Sequence, residues 1–246
     1  MTARARFSFR VYGTEFCRML EAVAQFQGPV KYQRYAAVRC VLAVDGLSLF
    51  ASNMVAAAFG HVEVEDPDGE GMFSIPSSQV KSIRQTFKRA LPKDSDPDEY
   101  VLEVTVTEAW IRIVDVSELF EKDMLQFAVP TDDDLGPGDR SAREITQELA
   151  AAAQYSVRDG ARLDLLGGAH FNPVELGRVA KAAKILEERV NLRPVENRML
   201  CPLGDSFTAV LGAGRHNEDE PQPYVDERNL MEWRERLYEI VERGVR

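Results

Sequence analysis

Five cations in one short run are the residues best placed to do chemistry. Between Ser77 and Lys93 the chain carries Lys81, Arg84, Lys88, Arg89 and Lys93 and no acidic residue. At about 100° per residue, Lys81, Arg84 and Lys88 fall within about 60° of one another on a helix. They lie beside an apolar stripe of Val80, Ile83, Phe87 and Leu91, so a helix docked by that stripe presents the cations together. Such a face attracts a polyanion, although an ordinary solvated face has the same spacing. A second run, Arg178, Lys181 and Lys184, lies opposite Leu176, Val179, Ala183 and Leu186. Counted from the proline before each helix, Lys81 matches Arg178 and Arg84 matches Lys181, while the apolar stripes align only after a shift of one residue. Glu187 and Glu188 make this second helix less basic. Two equivalent helices with basic exposed faces nonetheless favour a shared nucleic-acid ligand over two unrelated solvated surfaces.

Other chemistries find less support. Acidic residues collect at Glu63–Glu70, Asp94–Glu99, Asp132–Asp139 and Glu218–Glu220. A Mg²⁺-dependent nuclease needs carboxylates converging on the metal, whereas these clusters sit in Gly- and Pro-containing turns and linkers. No Gly-x-Ser-x-Gly, phosphate-binding loop or dinucleotide fingerprint occurs. Cys17, Cys40 and Cys201 form no CxxC pair, and His61, His170 and His216 are scattered, so neither a disulfide framework nor zinc-ligand spacing is present. Cys17 reads as a small packing residue rather than a nucleophile. No catalytic residue, metal or cofactor is expected.

The net charge of −10 would by itself disfavour nucleic acid, but its distribution is uneven. Hydrophobic residues at 45% and charged residues at 28% predict a folded core. The opening Met-Thr-Ala-Arg-Ala-Arg-Phe-Ser-Phe-Arg lacks the apolar run of a signal peptide. No stretch approaches the roughly 18 apolar residues of a membrane span. A soluble, cytoplasmic protein with no membrane contact is the expectation, and sparse cysteine suits a reducing compartment.

The elements that would hold the basic helices alternate strand and helix. Arg6–Tyr12 reads as a strand, followed by a helix capped by Thr14 with the stripe Phe16, Leu20 or Met19, Val23 and Phe26. Asp45-Gly46 predicts a hairpin turn between Ala37–Val44 and Leu47–Ala51. Strands are expected at about Ala57–Glu65 and Met72–Ile75, with an acidic loop from Asp66 to Gly71 between them. The first basic helix covers Ser77 to about Ala90, capped by Ser77 or Ser78, and three strands follow: Tyr100–Thr107, Trp110–Val116 and Met124–Val129. Residues 132–140 form an acidic connector containing Gly-Pro-Gly. A shortened echo follows at 141–215. It has a capping box at Ser141 and Glu144, then a helix opening at Asn172-Pro173 with Glu175 near its positive end. Short strands at about Asn191–Pro194, Asn197–Cys201 and Phe207–Leu211 complete it. Residues 216–246 add a polar segment and a final helix, Asn229–Gly244, striped by Leu230, Trp233, Leu237 and Val241.

Together these residues resemble the bacterial DNA polymerase III β sliding clamp, most clearly over 36–131. AAVRCVLAVDGLSLFASNMVAAAFGHVEV is similar to the family's strand, Asp-Gly turn and long alternating strand. GMFSIPSSQVKSIRQTFK is similar to its strand ending in Pro before the second helix, and FAVPTDDDL to its exit from a domain. FNPVELGRVAKAAK and FTAVLGAGR resemble a clamp's last helix and last strand. The resemblance implies an α+β fold of two clamp-like domains, about 1–131 and 141–215, the second shortened, plus a C-terminal helix. It implies sheets outside, helices lining a central hole, and no catalytic residues. Lys81, Arg84, Lys88 and Arg89, with Arg178, Lys181 and Lys184, would then face DNA phosphates. The implied partners are double-stranded DNA of any sequence, a DNA polymerase and a clamp loader. The chain is too short for three domains, so it is similar to two-domain subunits that close rings as homotrimers, an economy typical of phage replication genes. The family's closing Met-Pro-Met-Arg stands here as Gly212-Ala-Gly-Arg215. Gly46-Leu-Ser-Leu-Phe50 looks like the peptide that polymerases insert into clamps, yet its hairpin position and alternation predict a strand. Two alternatives to a sliding clamp remain: a clamp-fold scaffold or DNA-binding module that closes no ring, and a metal-dependent nuclease built on the acidic loops.

Overall fold

Alternation along the opening segment sets the first element. In β1 (Ala5–Tyr12) Phe7, Phe9 and Val11 are buried while Arg6 and Arg10 face solvent, the period-2 pattern of a half-buried strand. The computed structural model describes residues 5–31, 35–53, 55–87, 100–117, 123–130, 171–195 and 198–212, all within one compact unit, Met1–Ala213. The connector at 132–140, the helix expected from Ser141 and the helix Asn229–Gly244 lie outside the described residues.

Helix α1 (Gly13–Ala24) leaves β1 without a loop and buries Phe16, Met19, Leu20 and Val23. Thr14 does not cap it. Tyr12 occupies the cap position with no side-chain hydrogen bond, and the Gly13 amide donates to the Tyr100 carbonyl at 2.7 Å. The chain then builds β2 (Ala37–Ala43), β3 (Gly46–Ser52), β4 (Ala56–Val62), β5 (Glu65–Asp68) and β6 (Gly71–Pro76). The hairpin forms with Val44 and Asp45 at its tip, one residue earlier than expected, because Ala43 pairs with Gly46. Gly46, at φ +138°, takes the positive φ that glycine permits, and the Gly46–Phe50 peptide is strand β3. α2 (Ser77–Phe87), β7 (Val101–Thr107), β8 (Trp110–Asp115) and β9 (Met124–Ala128) follow. After residue 170 come α3 (Pro173–Leu186), β10 (Arg193–Val195), β11 (Arg198–Leu203) and β12 (Phe207–Gly212).

Two antiparallel sheets result, ordered β5-β1-β7-β8-β9 and β10-β11-β12-β4-β3-β2-β6. Strand–helix–three strands is used twice. β1 precedes α1 yet pairs with β7, and β6 precedes α2 yet pairs with β2. Each half thus lends its first strand to the sheet of the other. α3 with β10–β12 repeats the helix and meander a third time, and β12 joins the edge of β4 through Ala209↔Ala58 and Val210↔Ala57. One apolar core runs under both sheets and all three helices. Gly60 of β4 lets α1 approach closely, because a Cβ there would meet Met19 Sδ at 2.4 Å. A smaller cluster of Phe50, Ala57, Leu200 and Val210 forms across the β4–β12 seam on the opposite face of the seven-stranded sheet, as period-2 alternation dictates.

One strand departs from expectation. The acidic stretch predicted as a loop contains β5, because β1 offers it an open edge. Tyr12 Oη donates to Glu65 at 2.6 Å, and Arg10 lies 3.5 Å from Asp66 and 3.7 Å from Glu103.

Candidate nucleic-acid interface

The helical layer is organised around α1, which packs against both α2 and α3. Val80, Ile83 and Phe87 dock α2 as their spacing predicts, leaving Lys81 and Arg84 exposed. Lys88 and Arg89 lie outside the described residues. On α3 the buried seam is Glu175, Val179, Ala182 and Ala183. That seam is rotated by about 40° from the stripe read in the sequence, because Glu175 and Ala182 occupy it. Lys181 and Lys184 consequently face solvent, and Arg178 sits at the margin with 29% of its side chain exposed.

Arg178 is used to fasten the helices. Its guanidinium donates to the Gln25 and Gln27 carbonyls at the end of α1 and its Nε lies 3.0 Å from Glu175. A cation at a helix C-terminus is electrostatically favourable. Glu175, 7% exposed, accepts from Asn53 Nδ2 at 2.8 Å. Asn53 Oδ1 in turn accepts from the Val55 and Ala56 amides that open β4. The acid expected to serve the α3 dipole therefore belongs to a buried polar network across the same seam that β4 and β12 close in the sheet. α3 opens at Asn172-Pro173 as expected, and Asn172 caps it, accepting from the Val174 amide at 2.9 Å.

Three cations share one groove of about 360 Å³, with α1 as its floor: Arg18 from α1, Arg84 from α2 and Lys184 from α3. Arg18 was not singled out in the sequence, where it stands between Phe16 and the buried pair Met19 and Leu20. Its signal is the polar stripe Thr14, Arg18, Glu21 and Gln25, which recurs at helical spacing opposite the apolar one. Arg18 Nε donates to the Ile185 carbonyl at 3.0 Å, and its Nη2 lies 3.4 Å from Glu187. Arg84 lies 2.6 Å from Glu21. Among the described residues, neither Lys81, Lys181 nor Lys184 is paired with an acid. A second hollow of about 330 Å³ lies beyond Arg18, and Glu15, Glu188 and Asp205 on its rim would repel phosphate.

Burial pushes the Cys17 thiol up to about 12, with Glu21 adding to the rise, and burial pushes Cys201 up to about 12 as well. Burial also raises Cys40. Thiols so protonated near neutrality are poor nucleophiles. Among the described residues no three His, Cys, Asp or Glu side chains gather as a metal site, and no helix is long and apolar enough to cross a membrane. The clusters at Asp94–Glu99, Asp132–Asp139 and Glu218–Glu220 lie outside the described residues.

No protein-family model and no curated protein matches this chain. Solved structures do. The DNA polymerase III subunit β of Pseudomonas aeruginosa is similar with a TM-score of 0.55 at 15% identity, over 91% of this chain and 67% of that one. The β subunit of Thermotoga maritima gives 0.58 at 10% identity, and the β chain of Streptococcus pneumoniae 0.56 at 10%, both over the same shares of the two chains. The chain has an α+β, sliding-clamp-like fold in shortened form.

Proposed function

We propose that this clamp-fold protein is a DNA sliding clamp, a non-catalytic ring subunit that encircles double-stranded DNA in the cytoplasm and tethers a DNA polymerase to it. The observation that carries this reading is the helical layer, where Arg18, Arg84 and Lys184 meet in one groove with Lys81 and Lys181 exposed on the flanking helices. Phosphates are the ligand such a surface suits, and phosphate contacts carry no base sequence. The acids of β5 lie instead on a sheet edge, paired with β1. A chain of net charge −10 whose described helices carry six cations against three acids is attracted to DNA there and repelled elsewhere.

Ring closure is supported by an asymmetry in the sheets. β12 and β9 are both third strands of a meander, and β4 covers the outer edge of β12. Among the described residues nothing pairs with the outer edge of β9, and an open edge is a template for another strand. With one full and one shortened clamp-like domain per chain, about 1–131 and 141–215, three chains reach six domains. A polymerase and a clamp loader are the further partners of a ring so built. Light scattering at micromolar concentration should return three times the chain mass of 27.6 kDa. A monomer would instead support a clamp-fold scaffold that closes no ring.

A further inference from the structure

We infer that Glu21 and Glu187 are built-in stand-ins for DNA phosphate, holding Arg84 and Arg18 until the polyanion displaces them. This rests on the DNA reading above and assigns a role to two acids that the reading leaves unexplained. Both carboxylates line the groove that gathers the three cations. Glu21 ties α1 to α2 through its 2.6 Å contact with Arg84, and Glu187 ties the end of α3 to α1 through Arg18. Carboxylate and phosphate compete for the same guanidinium donors, so an arginine already paired with an acid is partly withdrawn from DNA. Three cations against two carboxylates leave the groove only weakly positive.

Glu187 also occupies an unusual backbone position. It is the C-cap of α3 with φ +60° and ψ +30°, a left-handed conformation normally given to Gly or Asn. Placing a glutamate there sets a carboxylate 3.4 Å from Arg18 at a position where glycine would be less strained. The pairs are exposed enough to exchange: Arg84 and Arg18 keep 48% and 39% of their side-chain surface. Pairs of this kind are individually weak, so phosphate can replace them. The acids therefore lower attraction without blocking contact, which suits a protein that must slide.

The test uses the full-length chain and a short fluorescent duplex, titrated by anisotropy from roughly 50 to 200 mM salt. Glu21→Gln with Glu187→Gln should tighten binding by roughly 3- to 10-fold and steepen the log–log salt slope by up to about 1.8, which is two more phosphates at about 0.9 each. Glu63→Gln with Glu70→Gln controls for the same change in net charge, since both residues are exposed and outside the groove. If the wild type binds and the groove variant matches the Glu63→Gln, Glu70→Gln control in affinity and slope, the stand-in role is overturned while the DNA reading survives. If neither protein binds even at the lowest salt, the DNA reading fails and this inference falls with it.

Discussion

Replacing Lys81, Lys181 and Lys184 together with alanine should weaken binding to a short duplex by roughly 10- to 100-fold and flatten its salt dependence. The reason is counterion release: each phosphate neutralised contributes about 0.9 to the slope of log affinity against log salt, so losing up to three removes roughly 2 to 3 units. These lysines are the exposed helical cations that no acid among the described residues holds, so DNA meets them without competition. Arg178, with its donors turned to the Gln25 and Gln27 carbonyls, should contribute less to the slope than any of the three. The loss should be the same for every duplex sequence, because phosphate contacts position without specifying. Alanine is a strong helix former and none of the three positions is buried, so the thermal midpoint should hold. Unchanged affinity and slope in the triple variant would remove the helical layer as the DNA surface.

Glu175→Ala should destabilise the fold by about 2–4 kcal/mol, since it leaves the buried Asn53 amide without its acceptor and the half-buried Arg178 guanidinium without its counter-ion. Asn53 Nδ2 and Arg178 Nε both reach this carboxylate, and the network spans the seam between α3 and the start of β4. Glu175→Gln keeps an acceptor for Asn53 and loses only the charge, so it should cost about 1 kcal/mol. Urea unfolding separates the two. Equal, small losses for both variants would show that packing of Val179, Ala182 and Ala183 alone carries the seam.

What could be read in the sequence was what short-range chemistry decides. The Asp45-Gly46 hairpin follows from turn conformation, and the docking stripe of α2 from helical period. Asn172-Pro173 opens α3 because both residues favour a helix start. The pairing of β12 with β4 was not legible, because it joins Ala209 to Ala58 across most of the chain and no local pattern encodes it. The acidity of β5 and its Pro67 predict a loop, and only the open edge of β1 makes it a strand. The site divides in the same way. Lys81, Arg84, Lys181 and Lys184 could be placed on exposed faces from spacing alone. Arg178 has the same spacing, but the carbonyls that occupy it come from the end of α1, far away in sequence. Arg18 is masked in the sequence by the apolar residues around it, and its groove exists only once three helices are packed.

Whether the chain closes around DNA is tested most directly by threading. A linear duplex blocked at one end is incubated with the protein, the free end is then blocked, and the DNA is washed at about 1 M salt, where the Debye length is about 3 Å and phosphate attraction is largely screened. A closed ring should stay on the doubly blocked duplex through the wash and leave when a restriction enzyme cuts it, whereas with one end open it should slide off. Loss of the protein at high salt whether or not both ends are blocked would contradict encirclement.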